Sequence, residues 1–232
     1  MAEIAGAAVL ILLVMLAFGT VLIRTMRLQT TTFLPPLLFG NIGNMGLPLC
    51  LFAFGETGLA LGLTVFLAIY TLQMSLGIML VAGRGNIAGL LKQPVLWATA
   101  ISLFMVSSGQ SLPAWLDNTT SLLGGFTIPL MLITLGVSLA DLKVSEWKHS
   151  LLFSVLRVVG GFGLGLFVAY LFGLEGVERG VLILQSSMPV AVFNYLLALR
   201  YQREPGEVAG MVVLSTVLSF ILLPFIVSFV LP

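Results

Sequence analysis

The chain has 232 residues, of which 59% are hydrophobic and only 8% charged, with ten Lys and Arg against nine Asp and Glu. A soluble domain of this length needs a larger charged surface, and a net charge of +1 gives no electrostatic reason to expect nucleic acid. Together with a mean hydropathy of +1.15, the composition implies an all-α integral membrane protein.

Uncharged runs cover roughly 4–23, 33–55, 57–83, 93–116, 118–140, 158–174, 180–199 and 208–232. Most exceed the ~20 residues that a spanning helix needs. When the run interrupted only by Arg157 is extended to about 150–173, eight transmembrane helices are predicted. Helix ends so placed put Arg24, Arg27, Arg84, Lys92, Lys143, Lys148, Arg200 and Arg203 on one side. The other side receives Arg179 with Glu3, Glu56, Asp117, Glu175 and Glu178. The positive-inside rule makes the basic side cytoplasmic and both termini external, in a multi-pass protein of the inner (plasma) membrane. The opening Met-Ala-Glu lacks the basic region of a signal peptide. Trp115 and Trp147 fall near predicted helix ends, where indole favours the interface. Cys50 is the sole cysteine, so no intrachain disulfide forms.

Helix two carries "NIGNMGLPL" and helix seven carries "LQSSMPVAVFNYL". Each is an apolar segment interrupted near its middle by amides or hydroxyls and a proline, and the two run in opposite directions. Interrupted segments in corresponding positions of inverted halves mark the central site of a secondary transporter. The predicted organisation is therefore an inverted repeat of helices 1–3 and 6–8, with broken helices 2 and 7. Residues 1–83 and 141–232 are then the two halves, joined by 84–140 (helices 4 and 5).

The chemistry of such breaks is specific. Proline lacks an amide hydrogen and crowds the carbonyl four residues back, so Pro48 and Pro189 each free backbone groups. Irregular backbone persists at membrane depth only where protein or a watered cavity covers it. Asn41, Asn44 and Asn194 offer donors and acceptors without charge, and Gly46 admits a close neighbour. Half-helices beginning near Pro48 and Pro189 direct free amides and positive dipole ends inward, from Gly46 to Pro48 and from Ser187 to Pro189, an arrangement suited to a carboxylate. A kink that serves packing alone is the alternative. Arg157 lies about 12 Å inside helix six at 1.5 Å per residue; it is either a functional ion or a side chain snorkelling to the interface. Gln73 and Ser75 either line the cavity or bond to neighbouring helices. The glycine run Gly160–Gly165 has the spacing of a close helix contact, and His149 is expected in a solvated loop. Enzyme chemistry is excluded: one histidine and one cysteine in separate regions make no metal site or nucleophile–base pair, no phosphate-binding loop is present, and no cofactor is implied.

At the two breaks the chain resembles the auxin efflux carrier family, which includes plant PIN exporters and bacterial organic-acid carriers. "NIGNMGLPLCLFAFGETG" is similar to the family's fourth helix, "SSMPVAVFNYLLALRY" to its ninth and "IPLMLITLGVSLA" to its seventh. The resemblance implies two inverted repeats, broken helices crossing at the midplane, an elevator-like transport unit formed by residues 1–83 and 141–232, and a homodimeric scaffold formed by 84–140. It gives Asn41 the place of the asparagine that holds the substrate carboxylate, with Pro48 and Asn194 at or beside the crossing. Gln73 is the candidate nearest the family's fifth-helix glutamine, and Glu3 the nearest match to an acid at the start of its third helix. The chain begins where that third helix would, so the family's first two helices are missing. The implied function is an elevator-type secondary carrier that exports small organic anions, auxin-like or mono- or dicarboxylate. A non-transporting membrane subunit and a sodium-coupled symporter of the bile-acid type are the alternatives.

Overall fold

A computed structural model describes residues 1–82, 94–108, 112–140, 142 and 147–231. Eleven α-helices are defined among them: α1 Ala2–Thr25, α2 Thr30–Leu38, α3 Leu47–Leu72, α4 Ile78–Ala82, α5 Pro94–Ser108, α6 Ala114–Ala140, α7 Lys148–Val155, α8 Gly161–Leu171, α9 Gly176–Ser186, α10 Val192–Tyr201 and α11 Pro205–Val230. Two π-helical turns, Gln73–Gly77 and Leu156–Gly160, join α-helical segments end to end, and a third, Ile42–Gly46, opens α3. Among the described residues, five helical stretches are long and apolar enough to cross a membrane: Ala2–Thr25, Ile42–Ala82, Ala114–Ala140, Lys148–Leu171 and Pro205–Val230. Arg84, Lys92 and Lys143, which the sequence assigns to the basic side, lie outside the described residues.

The 41-residue stretch Ile42–Ala82 is not one rod. Gly55 adopts φ 63°, ψ −155°, a region that essentially only glycine occupies. The chain reverses there into a helical hairpin. A Cβ on Gly58 would strike the Cys50 carbonyl oxygen, and one on Gly62 would lie 3.1 Å from the Cys50 Sγ. Thus 47–54 and 56–72 lie side by side at small-residue contacts, the usual means of close helix approach in lipid.

Two short helices occupy the centre. Burial is continuous from Thr32 to Ile42 and from Gly180 to Ala191. A helix buried on every side is a core helix rather than an amphipathic surface one. Around α9 pack α3, α8, α1 and α11, and α2 packs against α1, α4 and α11. The predicted close contact of the glycine run is made by Gly161 and Gly165, whose added Cβ atoms would strike the Ser186 carbonyl and hydroxyl oxygens. By contrast α6 stays largely exposed, touching α3 and the Ile42–Gly46 turn, with Leu135 its one buried residue among those described. Trp115 and Trp147 are exposed at the starts of α6 and α7. His149 differs from its solvated expectation: it is half-buried on α7, its ring edge-on to Phe33 at 5.9 Å.

Contacts also sort the ends of the bundle. The Arg203 Nε donates to the Val81 carbonyl at 3.1 Å and the Ser150 hydroxyl donates to a Glu207 carboxylate oxygen at 3.0 Å, gathering the ends of α4, α7, α10 and α11. Met1, Thr57, Glu175 and Glu178 instead line one common surface depression.

No heavy atom lies within 4 Å of a Cβ built on Gly55, so Gly55→Ala has a purely conformational cost, about 1–3 kcal/mol. Gly163→Ala, equally open but within α8, is expected to be neutral or stabilising by about 0.5–1 kcal/mol. Thermal unfolding in detergent should order the two variants on opposite sides of the parent.

Candidate functional site

The two interruptions meet. α2 ends at Leu38 and α9 at Ser186, and the non-helical chain beyond each forms an isolated antiparallel bridge between Gly40 and Val190. The Asn41 amide donates to the Pro189 carbonyl at 2.7 Å, and the Ala191 amide to the Phe39 carbonyl at 3.1 Å. Each break therefore supplies the partners that the other lacks, as buried backbone requires.

Side chains lock the junction. Asn194, in the first turn of α10, donates its Nδ2 to the Phe39 carbonyl at 2.9 Å and to the Ala191 carbonyl at 3.2 Å. From α11 the Ser215 hydroxyl accepts the Val190 amide at 3.0 Å. Asn41 caps the second half-helix through its carbonyl, which accepts from the Met45 and Gly46 amides. The first-turn amides of Ile42, Gly43 and Asn44 have no helical carbonyl four residues back and point toward the junction.

The first break is displaced from its predicted place. The half-helix starts at Ile42, not near Pro48, which is already the second residue of α3. A π turn closes each hydrogen bond over one more residue than an α turn, and the turn Ile42–Gly46 gives the Pro48 ring room without ending the helix. The expected amide end at Gly46–Pro48 is therefore corrected to Ile42–Asn44. The second break lies where the sequence puts it, with α10 beginning three residues after Pro189.

Beside the bridge is Arg157. The guanidinium is packed so closely on Gly40 that an added Cβ there would collide with its Nη2. Arg157 is only 4% exposed and is the only charged side chain in the buried set of described residues. Its Nε is buried without a hydrogen-bond partner. Snorkelling is thereby ruled out for this residue, which turns inward from its π turn. A small cavity of about 30 Å³ adjoins it, lined by Gly40, Arg157, Gln185 and Ser186 on one side and by apolar residues of α1, α2 and α3 on the other.

The remaining predicted residues separate into those near and those apart. The Ser187 hydroxyl is fully buried but spent on the Ile183 carbonyl at 2.6 Å. Gln73 is buried with an unpartnered Nε2 on the π turn that abuts the Phe39 ring at Gly77, outside the cavity lining. The Ser75 hydroxyl bonds to its own helix at Thr71. Asn44 is half-buried. Pro48 faces an apolar groove shared with α6 and α11. Glu3 is exposed in the first turn of α1 and is not brought to the junction.

Gln185, Ser186 and Ser215 were not singled out by the sequence. Gln185 is 1% exposed, its Oε1 held against Gly46 and its Nε2 against Gly62, and its amide meets the Cys50 side chain. The available signal was its position: an uncharged amide three residues ahead of the Met188-Pro189 interruption, inside an otherwise apolar run.

Residues 84–227, more than half of the chain, match the family described as membrane transport protein. An uncharacterized transporter of Methanocaldococcus jannaschii is 27% identical over 197 residues, covering 80% of this chain and 64% of that protein. A second uncharacterized transporter, from Methanothermobacter thermautotrophicus, is 28% identical over 195 residues, covering 79% and 63%. The chain thus spans less than two thirds of the length of these relatives. With an apolar helical architecture and two interrupted core helices that satisfy one another, the chain belongs to the membrane transport protein family, as an auxin efflux carrier-like member rather than an enzyme.

Proposed function

We propose that the protein is a secondary carrier that exports small organic anions by an elevator-like movement. The observation that carries this reading is Arg157: a buried cation with no buried acid to pair it among the described residues, next to two helix interruptions and a cavity. Burying an isolated ion is costly, and a ligand carboxylate arriving between the guanidinium and the half-helix amides relieves that cost. Anion binding at helix N-termini adds to it. The proposed site comprises Arg157, Asn41, the amides of Ile42–Asn44 and the Ser187–Pro189 break; Asn44 and Gln73 flank it.

The movement is proposed on the same grounds. Eight spans follow once the hairpin at Gly55 is counted as two and the discontinuous pairs α2 with 42–54 and α9 with α10 as one each. Helices 1–3 and 6–8 then form inverted halves, with a broken helix buried at the core of each. The exposed helix α6, with residues 84–140 around it, is the proposed scaffold and the surface through which two copies pair. Rigid displacement of the halves against it exposes the junction alternately to the two sides.

The decisive experiment is uptake of labelled monocarboxylates by purified protein in liposomes. Arg157→Gln is expected to weaken saturable uptake at least roughly thirtyfold, the lower end for losing one partner of a buried charge pair. The same substitution removes an uncompensated buried charge, so it should raise thermal stability without ligand. Lower stability together with unchanged uptake would reject the assignment.

Asn41→Ala tests the carboxylate ligand implied by the family resemblance, with uptake expected to vanish and folding retained. Asn194→Ala, in contrast, leaves the Phe39 carbonyl with the Ala191 amide alone and should cost about 0.5–1.5 kcal/mol of stability, measured by denaturation in detergent.

A further inference from the structure

On the outer face of the bundle, between the π turn Leu156–Gly160, α8 and α11, runs a groove of about 340 Å³. Every residue lining it is apolar, among them Val159, Phe162, Leu222, Phe225 and Phe229. Val159, Phe225 and Phe229 are exposed, which in a membrane-spanning chain means exposed to lipid tails. From Leu222 to Phe229 the groove follows α11 for about 10 Å at 1.5 Å per residue, well over half of one leaflet of a hydrocarbon core about 30 Å thick. Its Phe229 end lies next to the last residue of α11, Val230, and so at the membrane boundary.

A cation marks that end. The Arg179 guanidinium carbon sits 5.2 Å from the centroid of the Phe229 ring, and Phe162 holds the same ring edge-on at 5.9 Å. The ring face attracts the charge but offers no oxygen to its N–H donors, whose planar fork matches phosphate. Arg179 is the one basic residue that the charge distribution places on its side of the membrane. The acids beside it in sequence, Glu175 and Glu178, line the depression shared with Met1 and Thr57. A cation at the boundary above a hydrocarbon-walled slot has the charge and polarity pattern of a lipid: phosphate at the rim, acyl chain beneath.

We propose that this groove is a binding site for one phospholipid, with its phosphodiester on Arg179 and one acyl chain along α11. With two carboxylates within a turn of Arg179 on the same helix, a headgroup that carries an ammonium, as in phosphatidylethanolamine, is favoured over one with a net negative charge. The site stands apart from the carrier reading and does not rest on it. Its seated chain packs against Val158 and Val159, on the outer side of the turn whose inner side holds Arg157.

The test uses the full chain in detergent, stripped of lipid and titrated with palmitoyl-oleoyl phosphatidylethanolamine or phosphatidylglycerol, with bound lipid counted by native mass spectrometry. The parent is expected to hold one phosphatidylethanolamine more tightly than phosphatidylglycerol and to melt at a higher temperature as that lipid is added. Arg179→Gln should weaken the binding at least roughly tenfold, the loss of a hydrogen bond to a charged group. Leu222→Trp fills the groove while leaving Arg179 in place and should abolish retention. The variants act on opposite ends of the site, so if one fails to fold the other carries the comparison. Unchanged binding by a folded variant overturns the inference, as does a parent that binds the two lipids equally or prefers phosphatidylglycerol. Variants that split a dimer while the lipid count stays at the parent's value give the groove to a second copy of the chain and overturn it as well.

Discussion

Everything near the centre of the molecule depends on one exchange of backbone hydrogen bonds, between Phe39–Asn41 and Pro189–Ala191. An interrupted helix in an apolar setting is untenable alone, because each orphan amide or carbonyl costs several kcal/mol. Two interruptions in contact resolve that jointly. Neither can then shift without exposing the other, so the pair acts as one rigid junction, and Asn194 and Ser215 brace it from α10 and α11. The rigidity is what makes the neighbouring polar groups useful: they are held by backbone that has nowhere else to go.

Onto this junction the fold adds functionality at its most irregular points. Arg157 and Gln73 each lie on a π-helical turn, and a third such turn follows Asn41 directly. A π turn leaves part of the helical ladder unmet and rotates the side chains after it, which is why such turns recur at functional positions. Here the turn at Leu156–Gly160 accompanies an inward-facing guanidinium in a helix whose other face meets lipid-exposed residues such as Val159 and Phe167.

The sequence made the architecture legible through its charges and breaks. Charge-free runs predicted the helical segments of α1, α6, α8 and α11 closely, because hydrophobic length is a property of composition alone. That helices two and seven are each interrupted was likewise visible, whereas the bracing of the Phe39 carbonyl by Asn194 was not. Less legible was the position of the first break. Pro48 attracted attention as a helix breaker, yet a π turn accommodates it, and the real interruption at Phe39–Asn41 has no proline. Its cause is tertiary: the partner strand Pro189–Ala191 lies 148 or more positions along the chain. Gln185 escaped notice for a related reason. An amide at the end of an apolar helix is unremarkable until the glycines opposite it, Gly46 and Gly62, are seen to make its berth.

If the protein is the proposed carrier, Arg157, the one buried charge among the described residues, also decides which half of the transport cycle responds to voltage. Under the proposed function, a bound monoanion cancels that charge, and the loaded junction crosses the bilayer as a neutral pair. The empty junction returns carrying a full positive charge, for which a complete crossing is worth about 2.3 kcal/mol per 100 mV. In a cell whose interior is negative, the electric field then pulls the vacant carrier back toward the cytoplasm. Metabolic energy held as membrane potential is spent on resetting the machine, and the cargo itself leaves without meeting an electrical barrier.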